Sequence, residues 1–227
     1  MSDYKVMGVC SANVQRSPAF EAVANYALSE IRETAPHQIN IDSAGISVRD
    51  ILNNTMPSTT MLKVLDAGLR YGVVRKEMQE RVKTLVRKYS GKEQIPKQDK
   101  VAITFFYSEI RPLVHGRIAT YRDIALEKAG IPKHLLPGIY NPFNLDCAVD
   151  LILPMDIKVL EKVTWAYSTS PRQTPTIVTY GNLVGREDLE DNLAGGLEEA
   201  VRQVEFFMDT RHEAVKGILK LSESKNE

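Results

Sequence analysis

Cys10 and Arg16 bracket the run Val9-Cys10-Ser11-Ala12-Asn13-Val14-Gln15-Arg16-Ser17-Pro18. A cysteine, five intervening residues, an arginine and a serine form the set needed to transfer a phosphoryl group through sulfur. The thiolate is the attacking species, and its attack on phosphorus gives a phosphocysteine, splitting one hard step into two easier ones. A tight loop aims its backbone N–H groups at one point, and the positive end of the helix that follows faces the same point. Arg16, returning at the end of the loop, can hold two phosphate oxygens in a bidentate fork. Loop amides and Arg16 together face the three equatorial oxygens, where charge stabilisation is the largest catalytic contribution. At average residue usage, Arg and Ser follow a random cysteine at these offsets about once in a few hundred cases. With only two cysteines in the chain, coincidence is a poor account of the motif.

The elements that must position this loop are legible around it. Lys5–Val9 lies in a short, mostly apolar run, as expected of a buried first strand. Ser17 and Pro18 start a helix that continues with apolar residues at helical spacing to Ile31. The loop has no glycine, so its turn depends on Ala12 and on Asn13, the residue there best able to adopt a left-handed backbone. Further strands are expected at Gln38–Asp42, Val149–Met155 and Thr174–Tyr180, with helical patterns between them. That alternation predicts an α/β fold, a small doubly wound parallel sheet of about four strands flanked by helices. In such sheets the ligand site lies beyond the carboxyl ends of the strands, where Cys10 falls.

Pro57–Gly72 reads as a helix closed by a glycine, and 196–221 as one long amphipathic helix ending in a polar tail. We read 1–227 as a single domain with a helical insertion at 73–143. The insertion has one helix through Met78, Val82, Leu85 and Val86, a Pro/Lys-rich break, the segment Val101–Ile110 and a second helix from Pro112 to Ala129. It is expected to form a cap or partner surface near the site. Between Arg70 and Lys100 it carries ten Lys or Arg against four acids, which reads as a solvated face.

The chain has 227 residues, 43% of them hydrophobic, and a formal charge of zero. Neutral charge gives no argument for a nucleic acid or membrane partner, and no run reaches the roughly 18–20 apolar residues of a membrane span. So few cysteines argue for a reducing compartment, hence a cytoplasmic location, and against a disulfide framework. His37, His115, His134 and His212 show no ligand spacing, so neither metal nor cofactor is expected.

The loop resembles the phosphate loop of the low-molecular-weight protein tyrosine phosphatase superfamily, whose pattern is Cys-x5-Arg-Ser-Pro near the N-terminus. Ile39-Asn40-Ile41-Asp42-Ser43-Ala44-Gly45 is similar to that family's second strand and its Ser-Ala-Gly turn, and Val149–Asp156 to the later strand that ends in Met-Asp. The resemblance implies a metal-independent, cysteine-dependent phosphomonoester hydrolase with a phosphocysteine intermediate. Cys10 is then the nucleophile, Arg16 the phosphate clamp and Ser17 the donor that eases sulfur out. Ser11, Ala12, Asn13, Val14 and Gln15 form the anion cradle, and Asn13 and Ser43 are the polar pair that stiffens it. The substrate is a phosphorylated protein or small phosphoester, and inorganic phosphate the product.

A general acid is implied in Gly185–Asn192, where Asp188 and Asp191 compete. Asp191, followed by Asn192, resembles the phosphatases of the RNA polymerase II C-terminal domain, which carry Asp-x-x-Asp-Asn here. We favour Asp191 and expect the other aspartate to cap the last helix. The aromatic walls of tyrosine phosphatases are missing: Leu189 and Asn192 follow the aspartates, and Ile46, Ser47 and Val48 follow Gly45. Phe105, Phe106, Tyr107 and Tyr140 could supply a ring, although most are expected in the core. Phosphotyrosine, phosphoserine, phosphothreonine and small phosphoesters therefore stay open. Val14 replaces the threonine of phosphoarginine phosphatases, which disfavours that activity. Two other readings are an arsenate reductase, which would have to use Cys147, here expected to be a buried structural thiol, and a phosphate-binding module without turnover.

Overall fold

The computed structural model describes residues 3–31, 38–92, 94–189 and 192–224. Among them β1 (Tyr4–Cys10), β2 (Ile39–Gly45), β3 (Leu151–Pro154) and β4 (Thr176–Ile177) form one parallel sheet in the order β2-β1-β3-β4. Cys10 pairs in register with Gly45, and Val9 with Pro154. β1 and β3 are buried on both faces, which is why they read as continuous apolar runs and not as alternating ones. The chain leaves β1 for β2 on one side and β3 for β4 on the other. The carboxyl ends of β1 and β3 therefore flank the switch point where open α/β sheets bind ligands.

Three apolar clusters hold the layers. The first packs α1 (Arg16–Glu30), α7 (Tyr180–Val184), α8 (Gly196–Asp209) and α9 (Arg211–Ser224) on one face of the sheet, centred on Phe20, Tyr180 and Phe207. The second face is covered by α6 (Ile157–Ser168) through Val159, Val163 and Tyr167. The last cluster lies beside the sheet, where α3 (Ser58–Arg70), α4 (Lys76–Tyr89) and α5 (Lys97–Lys128) enclose a second core that also takes in Val14 and, at its margin, Ala12. Among the described residues no helix is long and apolar enough to cross a membrane.

Three elements depart from expectation. α5 runs unbroken through Pro112, which lies on the exposed side, where solvent takes the place of the lost backbone bond and the ring clears the core. The last helix is two, α8 and α9, parted at Thr210. The Thr210 hydroxyl bonds back to the Phe206 carbonyl at 2.7 Å and meets the buried Tyr180 hydroxyl at 2.7 Å, so it competes with the helical ladder. β4 is two residues long because Thr179 turns the chain into α7, its Oγ accepting from the Asn182 N–H at 3.2 Å.

The second core contains a titratable side chain. His115 on α5 is buried with Nδ1 2.7 Å from the Tyr140 hydroxyl, and burial, reinforced by the Arg111 charge, lowers its pKa to about 4. The unfolded chain protonates His115 near 6.5, before the folded chain does, so its contribution to stability falls as pH drops from about 6.5 toward 4. We expect this group to cost about 1.4 kcal/mol of unfolding free energy per pH unit in that window. Denaturant titrations of wild type and His115→Gln at pH 7 and pH 5 isolate it, with the variant showing the flatter dependence.

Candidate active site

The candidate phosphate loop, Cys10–Arg16, lies between β1 and α1. Four of its carbonyls find partners on the outside. The Cys10 and Ser11 carbonyls accept from Ile46 and Ser47 N–H groups at 3.0 Å each, the Asn13 carbonyl from Tyr140 N–H at 3.1 Å, and the Val14 carbonyl from Arg122 Nη1 at 3.0 Å. A trans peptide sets each N–H opposite the carbonyl before it. The amides of Ser11, Ala12, Val14 and Gln15 are therefore turned to the concave side, forming a nest for an anion. The Asn13 N–H points at Cys10 Sγ, 3.2 Å away.

Asn13 makes the turn possible with φ of 53°, in the left-handed region. Its side chain locks that conformation. Nδ2 donates to Ser43 Oγ at 2.8 Å and lies 3.4 Å from Ser17 Oγ, while Oδ1 accepts from Asn141 N–H at 2.8 Å. Ser17 Oγ stands 3.0 Å from Cys10 Sγ and 3.2 Å from the Ala44 carbonyl, so its one proton serves either the sulfur or that carbonyl. A charged sulfur is the stronger acceptor of the two.

Sequence reasoning missed several parts of this network. Ser43 Oγ donates to Glu21 Oε2 at 2.5 Å, and burial pushes the Glu21 carboxyl up while the Ser43 hydrogen bond pulls it down. Glu21 stands one helical turn after Ser17, and an acid on that otherwise apolar face was the available signal. Arg122, 2% exposed, braces the loop from behind. Besides Val14 it donates to the Pro137 carbonyl at 2.8 Å and the Gly138 carbonyl at 3.3 Å, and Asp123 balances its charge at 2.7 Å. No spacing rule singles it out among the charges of α5. Asn141 belongs to a segment that continues the sheet edge, with its carbonyl accepting from Gly45 N–H at 2.8 Å.

Arg16 reaches across the switch point. Its Nη1 donates to Asp156 Oδ2 at 2.6 Å and to the Leu189 carbonyl at 2.9 Å. Asp156, just past β3, also caps α6 by accepting from Val159 N–H at 2.8 Å. One guanidinium thus joins β1, β3 and the loop of the candidate acids. Asp188 Oδ1 lies against Gly181 in the first turn of α7, only 2.5 Å from where a Cβ would stand there. It does not cap the last helix, whose N-cap is Gly195. Asp191, favoured in sequence, lies outside the described residues.

Phe106 and Tyr107 are in the second core, as expected, whereas Phe105 is exposed with its ring edge against Phe106. The wall after Gly45 is the short helix α2 (Val48–Leu52), which buries Val48 and Ile51 and is tied to α5 by Arg111, donating to the Ile51 carbonyl and to Asn54. Cys147 corrects the sequence reading: it is exposed, not buried. It lines a cleft with Tyr4 and Asp150, at the amino ends of the strands. β1 advances about 3.3 Å per residue from Tyr4 to Cys10, so the two sulfurs stand at opposite ends of the sheet, too far apart for a disulfide. Among the described residues no group of three or more His, Cys, Asp or Glu could hold a metal ion.

By sequence, no family model and no curated protein matches the chain. By structure, it is similar to the protein tyrosine phosphatase from Entamoeba histolytica, with TM-score 0.54, 16% identity, and 98% of this chain and 99% of that one covered. It is similar also to the low-molecular-weight protein tyrosine phosphatase from T. tengcongensis (TM-score 0.51, 15% identity, 94% and 98% covered). A third similar structure is a mutant of the YwlE arginine phosphatase carrying a phosphorylated active-site serine (TM-score 0.53, 14% identity, 95% and 96% covered). The chain therefore has the low-molecular-weight protein tyrosine phosphatase fold.

Substitutions at two positions test the loop. A Cβ on Gly45 would lie 2.8 Å from Asn13 N and 2.9 Å from Ala12 C, both backbone atoms that cannot rotate away. Gly45→Ala is expected to weaken phosphate and vanadate binding at the loop by about tenfold, at about 1–3 kcal/mol of stability. Arg122→Met removes three carbonyl contacts and leaves Asp123 unpaired, and is expected to cost about 3 kcal/mol in denaturant unfolding. Arg122→Lys, which keeps the charge and loses the fork, should lie between wild type and Arg122→Met.

Proposed function

We propose that this chain is a cysteine-dependent phosphomonoester hydrolase, acting on a phosphorylated protein or a small phosphoester. One observation carries the reading: Ser17 Oγ and the Asn13 N–H converge on Cys10 Sγ at 3.0 and 3.2 Å, at the focus of a loop whose Cys10, Ser11, Asn13 and Val14 carbonyls are engaged outward. A module that only bound phosphate would use the nest, but it would have no use for two donors aimed at a sulfur. The phosphorylated serine of the YwlE mutant, whose fold this chain shares, supports a covalent phosphoenzyme.

In the first step Cys10 sulfur forms a bond to phosphorus as the bond from phosphorus to the leaving oxygen breaks. That oxygen takes a proton from an aspartic acid in 185–192. In the second step water attacks phosphorus and gives a proton back to that aspartate, and the bond to sulfur breaks. Ser17 then donates to the departing thiolate, and inorganic phosphate leaves. Asp191 is the acid in this scheme, because the Asp188 carboxylate is packed against Gly181 on α7. Asp156 aims Arg16, and Arg16 and the inward amides hold the equatorial oxygens. The wall after Gly45 is aliphatic, which suits substrates bound through the phosphate more than through an aromatic ring.

Hydrolysis of para-nitrophenyl phosphate at about pH 5–7, without added metal, tests this. Wild type is expected to turn over and Cys10→Ser to be inactive. Asp191→Asn should lose about 100-fold, with a smaller loss on better leaving groups, and Asp188→Asn should lose less. A wild type that binds vanadate at the loop without releasing phosphate would sink the hydrolase reading.

A further inference from the structure

Tyr140 holds φ of 63°, in the left-handed region. Among the described residues the other two non-glycine positions with positive φ, Asn13 and Asn54, are asparagines, whose short polar side chains suit that region; a bulky ring is strained there. The turn aims two successive N–H groups at one residue. Tyr140 N–H donates to the Asn13 carbonyl at 3.1 Å, and Asn141 N–H donates to Asn13 Oδ1 at 2.8 Å. The chain then pairs with the end of β2: the Asn141 carbonyl accepts from Gly45 N–H at 2.8 Å, and the Gly45 carbonyl from Phe143 N–H at 3.1 Å.

The ring of Tyr140 is held from the other side, at the margin of the second core. Its hydroxyl lies 2.7 Å from Nδ1 of His115 on α5, with ring centroids 5.5 Å apart at 48°. Burial and then the Arg111 charge disfavour a proton on His115, so the imidazole is neutral at pH 7. Burial raises the Tyr140 hydroxyl to about 12, against the pull of Arg111, so it keeps its proton. Tyr107, whose ring centroid stands 5.7 Å from Arg111 Cζ, is raised by burial in the same way and adds no charge. A neutral imidazole with its proton on Nε2 accepts at Nδ1, and the tyrosine donates. Glycine would make the same turn without strain. What glycine lacks is the ring that reaches α5.

We propose that Tyr140 is a positioning residue for the Cys10–Arg16 loop. The His115–Tyr140 hydrogen bond fixes the ring against α5, and the backbone so fixed delivers the two N–H groups that hold Asn13 in its own left-handed turn. The inference rests on the phosphatase reading of that loop. It gives α5 a part in anion affinity that acts through backbone bonds to Asn13.

The probe is vanadate, with Kd measured by calorimetry at pH 7, where loss of folded protein lowers the stoichiometry and leaves Kd alone. Tyr140→Phe keeps the ring and removes only the hydroxyl; Kd is expected to rise about fivefold. Tyr140→Gly relieves the backbone strain yet loses the ring, and Kd should rise about tenfold. kcat/KM on para-nitrophenyl phosphate should fall in parallel for both. His115→Leu should match Tyr140→Phe, and the double variant should add no further loss; His115→Gln, which restores an acceptor, should lie nearer wild type. If His115→Leu folds poorly, the two Tyr140 variants carry the test. A wild-type Kd for Tyr140→Gly, a lower stoichiometry at unchanged Kd, or full additivity of Tyr140→Phe with His115→Leu would each overturn the role. A wild type that binds vanadate, with every variant unchanged, rejects this inference alone. A wild type that neither binds vanadate nor turns over rejects the phosphatase reading and this with it.

Discussion

The site depends on one residue holding a backbone conformation that L-residues disfavour. Asn13 sits at φ of 53°, at a cost of order 1 kcal/mol or more. That cost is met by saturating its amide, with Ser43 on β2 on one side and Asn141 on the other. Once Asn13 turns, the carbonyls on either side of it face outward and the N–H groups inward. The anion nest is a consequence of that turn and needs no basic cluster beyond Arg16.

The rest of the structure supports the turn from three directions. β2 supplies Ser43 and Gly45, and no larger residue than glycine fits against Asn13 N. α1 supplies Ser17 and Glu21, which extend the polar chain into a mostly apolar interior. A buried polar network of this kind is stable only when each member has its partners. The second core supplies Arg122, which occupies the Val14 carbonyl and so keeps the outer surface of the loop from rearranging.

Arg16 then couples the loop to the segment after α7. Its bonds to Asp156 and the Leu189 carbonyl bring together the ends of β1 and β3 and the segment after α7. The Cys10–Arg16 loop and the segment after α7 are thus referenced to one guanidinium, across the point where the sheet reverses its winding.

The Cys10–Ser17 loop was readable in the sequence because its geometry is local. Cys10, Asn13, Arg16 and Ser17 lie within eight consecutive positions, so strand, turn and helix rules alone bring them to one focus. The sheet was readable for a similar reason: strands buried on both faces leave apolar runs, and helices between them leave a longer period. Its ends were less so, since β4 stops where Thr179 prefers to cap a helix and α8 stops where Thr210 finds Tyr180, and both are contests between local bonds and distant partners. Only the tertiary structure decided that Arg122 and Asn141 brace the Cys10–Arg16 loop. Each acts through backbone groups far away in the chain, and a carbonyl partner leaves no trace in the residue type that carries it. It also decided that Cys147 lies at the opposite end of the sheet from Cys10, because distance along a strand is a property of the fold and not of composition.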